Sequence, residues 1–124
     1  MSDTTGEVLF VDYHNDGDAL FATLEVSNIG QRESKIIAMS MQDQLGSVKP
    51  GHRFLVIDMG KVNFMNSMGI GMLIDARSRA AGLKLKTVLA NVGDDMFKLL
   101  KMVRLDKVFS VCQNDKQLKK ALKR

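Results

Sequence analysis

The sequence predicts an α/β layer protein with a mixed central sheet and the element order ββαβαβαβα. Three observations predict it. Apolar runs of strand length alternate with stretches of helical period along the chain. The run Phe54-Leu55-Val56-Ile57-Asp58-Met59 is almost continuously apolar, as in a parallel or mixed-sheet strand covered by helices on both faces. The first two runs are separated only by turn formers, so an antiparallel hairpin joins strands that otherwise need right-handed crossovers.

Each element has its own reason. Residues 8–13 read as a first strand and residues 20–26 as its hairpin partner, with the turn at Asn15-Asp16-Gly17-Asp18, where left-handed backbone is tolerated. Ser27-Asn28-Ile29-Gly30 breaks the run. Residues 31–45 read as a helix: Ile37, Met41 and Leu45 recur every four residues, and Ile36 and Met39 widen that face. Gly46 suits its end, and Pro50 follows. After the central strand, residues 67–81 form the next helix, closed by Gly82. Residues 83–90 alternate as a strand. Asp94 is placed as the cap of a short helix with Met96, Phe97, Leu100 and Val103 inward. Residues 108–112 form a last strand. Asn114-Asp115-Lys116-Gln117 resembles a capping box opening a terminal helix, with Leu118, Ala121 and Leu122 inward.

Composition narrows the function. The 124 residues suit one domain, and 45% hydrophobic with 26% charged residues is globular. The net charge of +4 invites a nucleic-acid reading, but its distribution weakens it. Residues 1–31 carry six acids and no Lys or Arg, whereas residues 98–124 carry nine bases and two acids. No aromatic side chain interleaves the terminal lysines, so nothing there offers a stacking platform; direct nucleic-acid binding is not expected. No apolar run is long enough to span a membrane, and the N-terminus lacks a secretory pattern. A cytoplasmic protein is expected. The single cysteine, Cys112, and two distant histidines, His14 and His52, exclude a disulfide framework and leave no local metal site. No catalytic constellation or phosphate-binding loop appears, so neither an enzyme nor a cofactor is expected.

The informative stretch is residues 59–75. It leaves the central strand, passes a short loop and enters a helix at Asn66-Ser67, either of which can cap it. Gly69 and Gly71 lie in the first turns, where each costs about 1 kcal/mol relative to alanine. Tight packing on the sheet is one reason for them; close approach of a partner is another. Asp58 is expected to order the loop before Ser67. Met39, Met41, Met72, Met96 and Met102 are expected in the core, Met65 and Met68 at the surface. Cys112 is expected buried and His14 exposed.

The segments Phe54-Leu55-Val56-Ile57-Asp58 and Phe64-Met65-Asn66-Ser67-Met68-Gly69-Ile70-Gly71-Met72-Leu73 resemble the STAS domain (sulfate transporter and anti-sigma factor antagonist) of the free-standing bacterial type. That family's pattern is a strand ending in Asp, then Asp-Ser-Ser-Gly-Leu-Gly-x-Leu. Ala81-Gly82-Leu83-Lys84-Leu85 and Leu105-Asp106-Lys107-Val108-Phe109 extend the likeness, which covers about residues 7–122 of a single domain, 1–124. The resemblance implies an anti-sigma factor antagonist. It would switch between partners, an anti-sigma factor that is also a serine kinase and a cognate phosphatase, through reversible phosphorylation at Ser67. It implies a binding face of Asn66, Ser67, Met68, Gly69, Met65, Phe64 and Asn28, on a monomer or weak dimer. Asn66 and Met68 stand where the family has an acid and a second serine. The alternative is therefore a non-phosphorylated STAS subunit of a larger complex, transporter-associated or a signalling scaffold, with Ser67 a structural cap.

Overall fold

The computed structural model describes residues 10–124. Strands β1 (Val11–Asp16) and β2 (Ala19–Leu24) form the expected antiparallel hairpin. The turn is tighter than the sequence suggested. Asn15 and Asp16 pair with Leu20 and Ala19, so the reversal falls to Gly17 and Asp18, with Gly17 at φ +62°. The expected start of the first strand, Val8 and Leu9, lies outside the described residues.

β2 then pairs in parallel with β4 (Phe54–Asp58), β4 with β6 (Lys86–Ala90), and β6 with β7 (Ser110–Val111). The sheet order is β1-β2-β4-β6-β7, a mixed sheet as predicted. Helices α1 (Gln31–Leu45), α2 (Ser67–Gly82) and α3 (Asp94–Met102) cover one face. Their side chains Ile37, Met41, Leu73, Ala76, Met96 and Leu100 form one core with Leu55, Ile57 and Leu89 of the sheet. Helix α4 (Asp115–Ala121) leads into Leu122, which packs on the other face with Phe54, Val56, Val88 and Cys112. Phe54 to Ile57 are therefore buried from both sides, which is why the run carries no polar alternation.

Several boundaries move, each for a physical reason. Helix α2 runs through Gly82, and the left-handed position that ends it is taken by Lys84 (φ 65°), so β6 begins at Lys86 rather than Leu83. Gly93, not Asp94, is the cap of α3; Asp94 and Asp95 occupy the first turn, where the helix dipole favours acids. The last strand shrinks to Ser110–Val111 because Leu105–Lys107 forms a 3-10 turn closed by Val108 N donating to Leu105 O (3.0 Å), and Phe109 N donates to the same oxygen (2.9 Å). In α1, Ile37, Met41 and Leu45 point inward, but Ile36 is exposed and Met39 is 72% exposed. Met102 is 78% exposed, while Met41, Met72 and Met96 are core as expected.

One element was absent from the sequence reading. Asn28–Ile29 (β3) and Phe64–Met65 (β5) form a separate two-stranded parallel ladder. Two-residue strands are too short for any periodicity to show.

Candidate functional site

The chain leaves β4 at Asp58, whose carboxylate accepts from Gly60 N (2.9 Å) and from Asn91 Nδ2 (2.9 Å). Asp58 thus ties the β4 exit to the β6 exit, the loop-ordering role expected of it. Lys61 in the same loop pairs with Glu25, which raises the Lys61 pKa through that bond and charge. Next, the β3–β5 ladder lays the segment around Asn28 alongside residues 63–66: Asn63 N and Phe64 N donate to Ser27 O, and Asn66 N donates to Ile29 O (3.1 Å). Asn28 is thereby brought beside the Ser67 helix, from 39 positions away in sequence.

Asn66 caps α2. Its Oδ1 accepts from Met68 N (2.9 Å) and Gly69 N (3.2 Å). Ser67 is the first helical residue, exposed, and its hydroxyl makes no hydrogen bond among the described residues. The capping role belongs to Asn66, so Ser67 is not needed for it.

The two glycines have different reasons. A Cβ on Gly69 would lie 2.7 Å from Met65 Cβ and 3.1 Å from Ile29 Cγ2, so Gly69 allows α2 to close onto the β3–β5 ladder. A Cβ on Gly71 would meet nothing within 4 Å. Gly71 instead borders a shallow groove between α1 and α2, about 270 Å³, with Ser34, Ala38, Ser67 and Met68 among its walls and Lys35 and Asp75 at its rim.

The expected face separates into an exposed and a buried part. Asn28, Asn66 and Ser67 are exposed, and Phe64 and Met68 are 57% and 46% exposed. Met65 is buried, contrary to expectation, because β alternation turns it inward against Ile29 while its neighbour Phe64 turns out. Gly69 is buried with it. The groove wall on α1 leaves no signal in the sequence. Ser34 and Ala38 lie one turn apart there, but Ser34 is buried with its Oγ donating to Gly30 O (2.6 Å), which composition alone does not reveal.

Elsewhere, Cys112 is buried, and burial pushes its thiol pKa up. His14 is exposed and stacks on Phe21, with ring centroids 4.9 Å apart. The described residues hold no group of three His, Cys, Asp or Glu side chains placed for a metal ion. No helix among them is long and apolar enough to cross a membrane.

The chain thus has a mixed sheet with three helices on one face and a capped helix with an exposed serine at its start. Residues 27–119 match the STAS domain family, and the chain belongs to it. No curated protein sequence matches the chain significantly. Among solved structures, an anti-sigma-factor antagonist (STAS) domain protein from Planctomyces limnophilus is similar over 92% of this chain and 98% of its own, with TM-score 0.79 and 16% identity. The phosphorylated form of the Bacillus cell fate determinant SpoIIAA is similar over 90% and 98%, with TM-score 0.63 and 12% identity. A sulfate transporter family protein from Wolinella succinogenes is similar over 93% and 88%, with TM-score 0.68 and 11% identity. At these identities the likeness is one of fold.

Proposed function

We propose that this chain is a regulatory binding module of the anti-sigma factor antagonist kind, without catalysis of its own, working in the cytoplasm. It binds an anti-sigma factor that is also a serine kinase. Phosphorylation of Ser67 ends the interaction, and a phosphatase restores it. The observation that carries this reading is the division of labour at the helix start: Asn66 caps, and the exposed Ser67 hydroxyl is left unbonded among the described residues. An anti-sigma-factor antagonist of like fold, and a cell fate determinant of like fold solved in a phosphorylated form, support it.

The electrostatics favour a switch rather than a disruption. Residues 62–74 contain no charged side chain. A phosphoryl group adds about −1.5 to −2 charges there. The positive end of the α2 dipole tolerates that charge, so the fold survives. Asn66 already occupies the amides of Met68 and Gly69, so the phosphate remains outside the cap. Against an apolar partner surface meeting Phe64 and Met68, an unpaired phosphate is costly to desolvate.

The test is incubation with the partner kinase and ATP, followed by mass analysis of the peptide containing Ser67, with Ser67→Ala as control. Ser67→Asp should remain folded and lose the partner. If it binds as tightly as the unaltered chain, the switch is wrong.

A second reading has its own support. Asn66 and Met68 replace the acid and second serine of the family pattern, and the similar transporter-family structure shows that this fold also occurs outside antagonists. Here the same face would hold the chain in a larger assembly with no phosphorylation cycle. Co-elution with neighbouring gene products, unchanged by kinase and ATP, would favour it.

A further inference from the structure

Ser67 lies at the end of the molecule where β4 delivers the chain into α2. The opposite end has a surface that the proposed switch does not use. Helices α2 and α3 each start beyond the C-terminal end of a parallel strand and run back, so both finish at this second pole. There α2 ends at Leu83 and Lys84, and α3 passes through Lys101, Met102 and Val103 into Arg104 and the 3-10 turn. Arg77 Nε donates to Val108 O (3.2 Å), which holds the end of that turn against α2.

Two properties coincide at this pole. Leu83, Met102, Val103 and Val108 are exposed apolar side chains, Met102 the most exposed of them. Lys84, Lys101, Arg104 and Lys107 stand among them, and none has a carboxylate within 4.0 Å among the described residues. Lys84 and Arg104 sit in left-handed turns at φ 65° and 63°, each at a chain reversal. Basic residues near helix C-termini are favoured by the dipole alone. That does not explain the apolar side chains interspersed with them. Helix α4 provides the comparison: Lys116, Lys119, Lys120 and Lys123 are equally basic, but Leu118, Ala121 and Leu122 turn inward onto the sheet. Charge without exposed apolar groups is thus found on one surface, and charge with them on the other.

We infer that this pole is a docking surface for an anionic lipid bilayer. The apolar side chains stand on three separate elements, the ends of two helices and of a 3-10 turn, rather than along the face of one helix. These bases, Lys101 resting over the Phe97 ring and none bridged to a carboxylate among the described residues, complement a negatively charged leaflet, and apolar tips entering the headgroup region add burial that charge alone lacks. The chain would be held peripherally, with Ser67 facing away from the lipid and open to its partner.

The test is co-sedimentation of the full chain with vesicles of phosphatidylcholine alone and of phosphatidylcholine mixed with phosphatidylglycerol. Binding is expected to the mixed vesicles only, and to weaken as salt rises. Lys101→Gln and Lys107→Gln should each weaken it about fivefold. Met102→Ser should weaken it at unchanged charge. Lys119→Gln with Lys123→Gln, on α4, should leave most of it intact, and circular dichroism checks that each variant folds. Failure to bind the mixed vesicles overturns the inference, as does binding that ignores Met102 or disappears with the α4 changes. If the chain ignores vesicles but binds poly-glutamate through Met102 and Lys101, the surface is for an acidic protein and the lipid proposal is wrong. None of these outcomes depends on whether Ser67 is phosphorylated.

Discussion

Asn66 and Ser67 are neighbours with separable energetics. Asn66→Ala removes the acceptor for two first-turn amides and should cost about 1 kcal/mol of stability. Ser67→Ala breaks no hydrogen bond among the described residues and should stay within about 0.5 kcal/mol of the parent. Urea denaturation of the two variants checks the pair; equal losses would show that Ser67 shares in capping. The glycines make a second pair. Gly71→Ala gains helix propensity in open space and should stabilise by up to about 1 kcal/mol. Gly69→Ala drives a methyl into Met65 and Ile29 and should destabilise by about 1–3 kcal/mol. A further residue-scale expectation concerns Cys112. Burial raises its thiol pKa, so the thiol stays protonated at neutral pH and should react with a disulfide reagent only after unfolding.

At the scale of elements, α1 offers a pH test. Glu33 Oε1 accepts from Gly30 N (3.0 Å), and that bond holds its carboxyl below the ordinary carboxylate range. A folded pKa below the unfolded one adds stability above the unfolded value and loses it as pH falls through the folded value. Glu33→Gln should therefore lower the urea midpoint at neutral and alkaline pH, where the charged carboxylate contributes, and leave it little changed at acid pH, so that the loss of stability on acidification is flattened. How far the elements were legible follows from their length. The helices α1 and α2 and the strand β4 each have enough residues for a 3.6-residue period or an unbroken apolar run to register. The two-residue strands β3 and β5 do not. Yet that ladder is what places Asn28 opposite Phe64, three residues before Ser67, a pairing that local pattern could not show. The same ladder turns Met65 inward. Its neighbour Met68 is exposed, and nothing in the composition of the Phe64-to-Met68 stretch separates the two.

Across the whole molecule, charge is distributed by pairing as well as by sequence position. The acidic first third and the basic end meet: Arg124 donates to Asp16 Oδ2 (3.1 Å), to Asp16 O (2.7 Å) and to Asp18 Oδ1 (3.4 Å). Part of the basic excess that suggested nucleic acid is thus spent within the fold, holding α4 to the hairpin turn. Arg124→Ala should speed amide exchange in α4 and leave β4 and β6 protected. The sheet pairing has a kinetic consequence too. Only β1 and β2 are joined by a short turn; every other pairing in that sheet must wait until the chain has closed a loop around a helix or a long connection. The hairpin is therefore the cheapest nucleus on offer, and the Arg124 contacts, bridging 106 and 108 positions, the dearest in loop entropy. Gly17→Ala, strained at φ +62°, should slow refolding, whereas Arg124→Ala should chiefly hasten unfolding; stopped-flow chevrons separate the two limbs. The element at one edge of the finished sheet would then be the one that sets the pace at which the rest assembles.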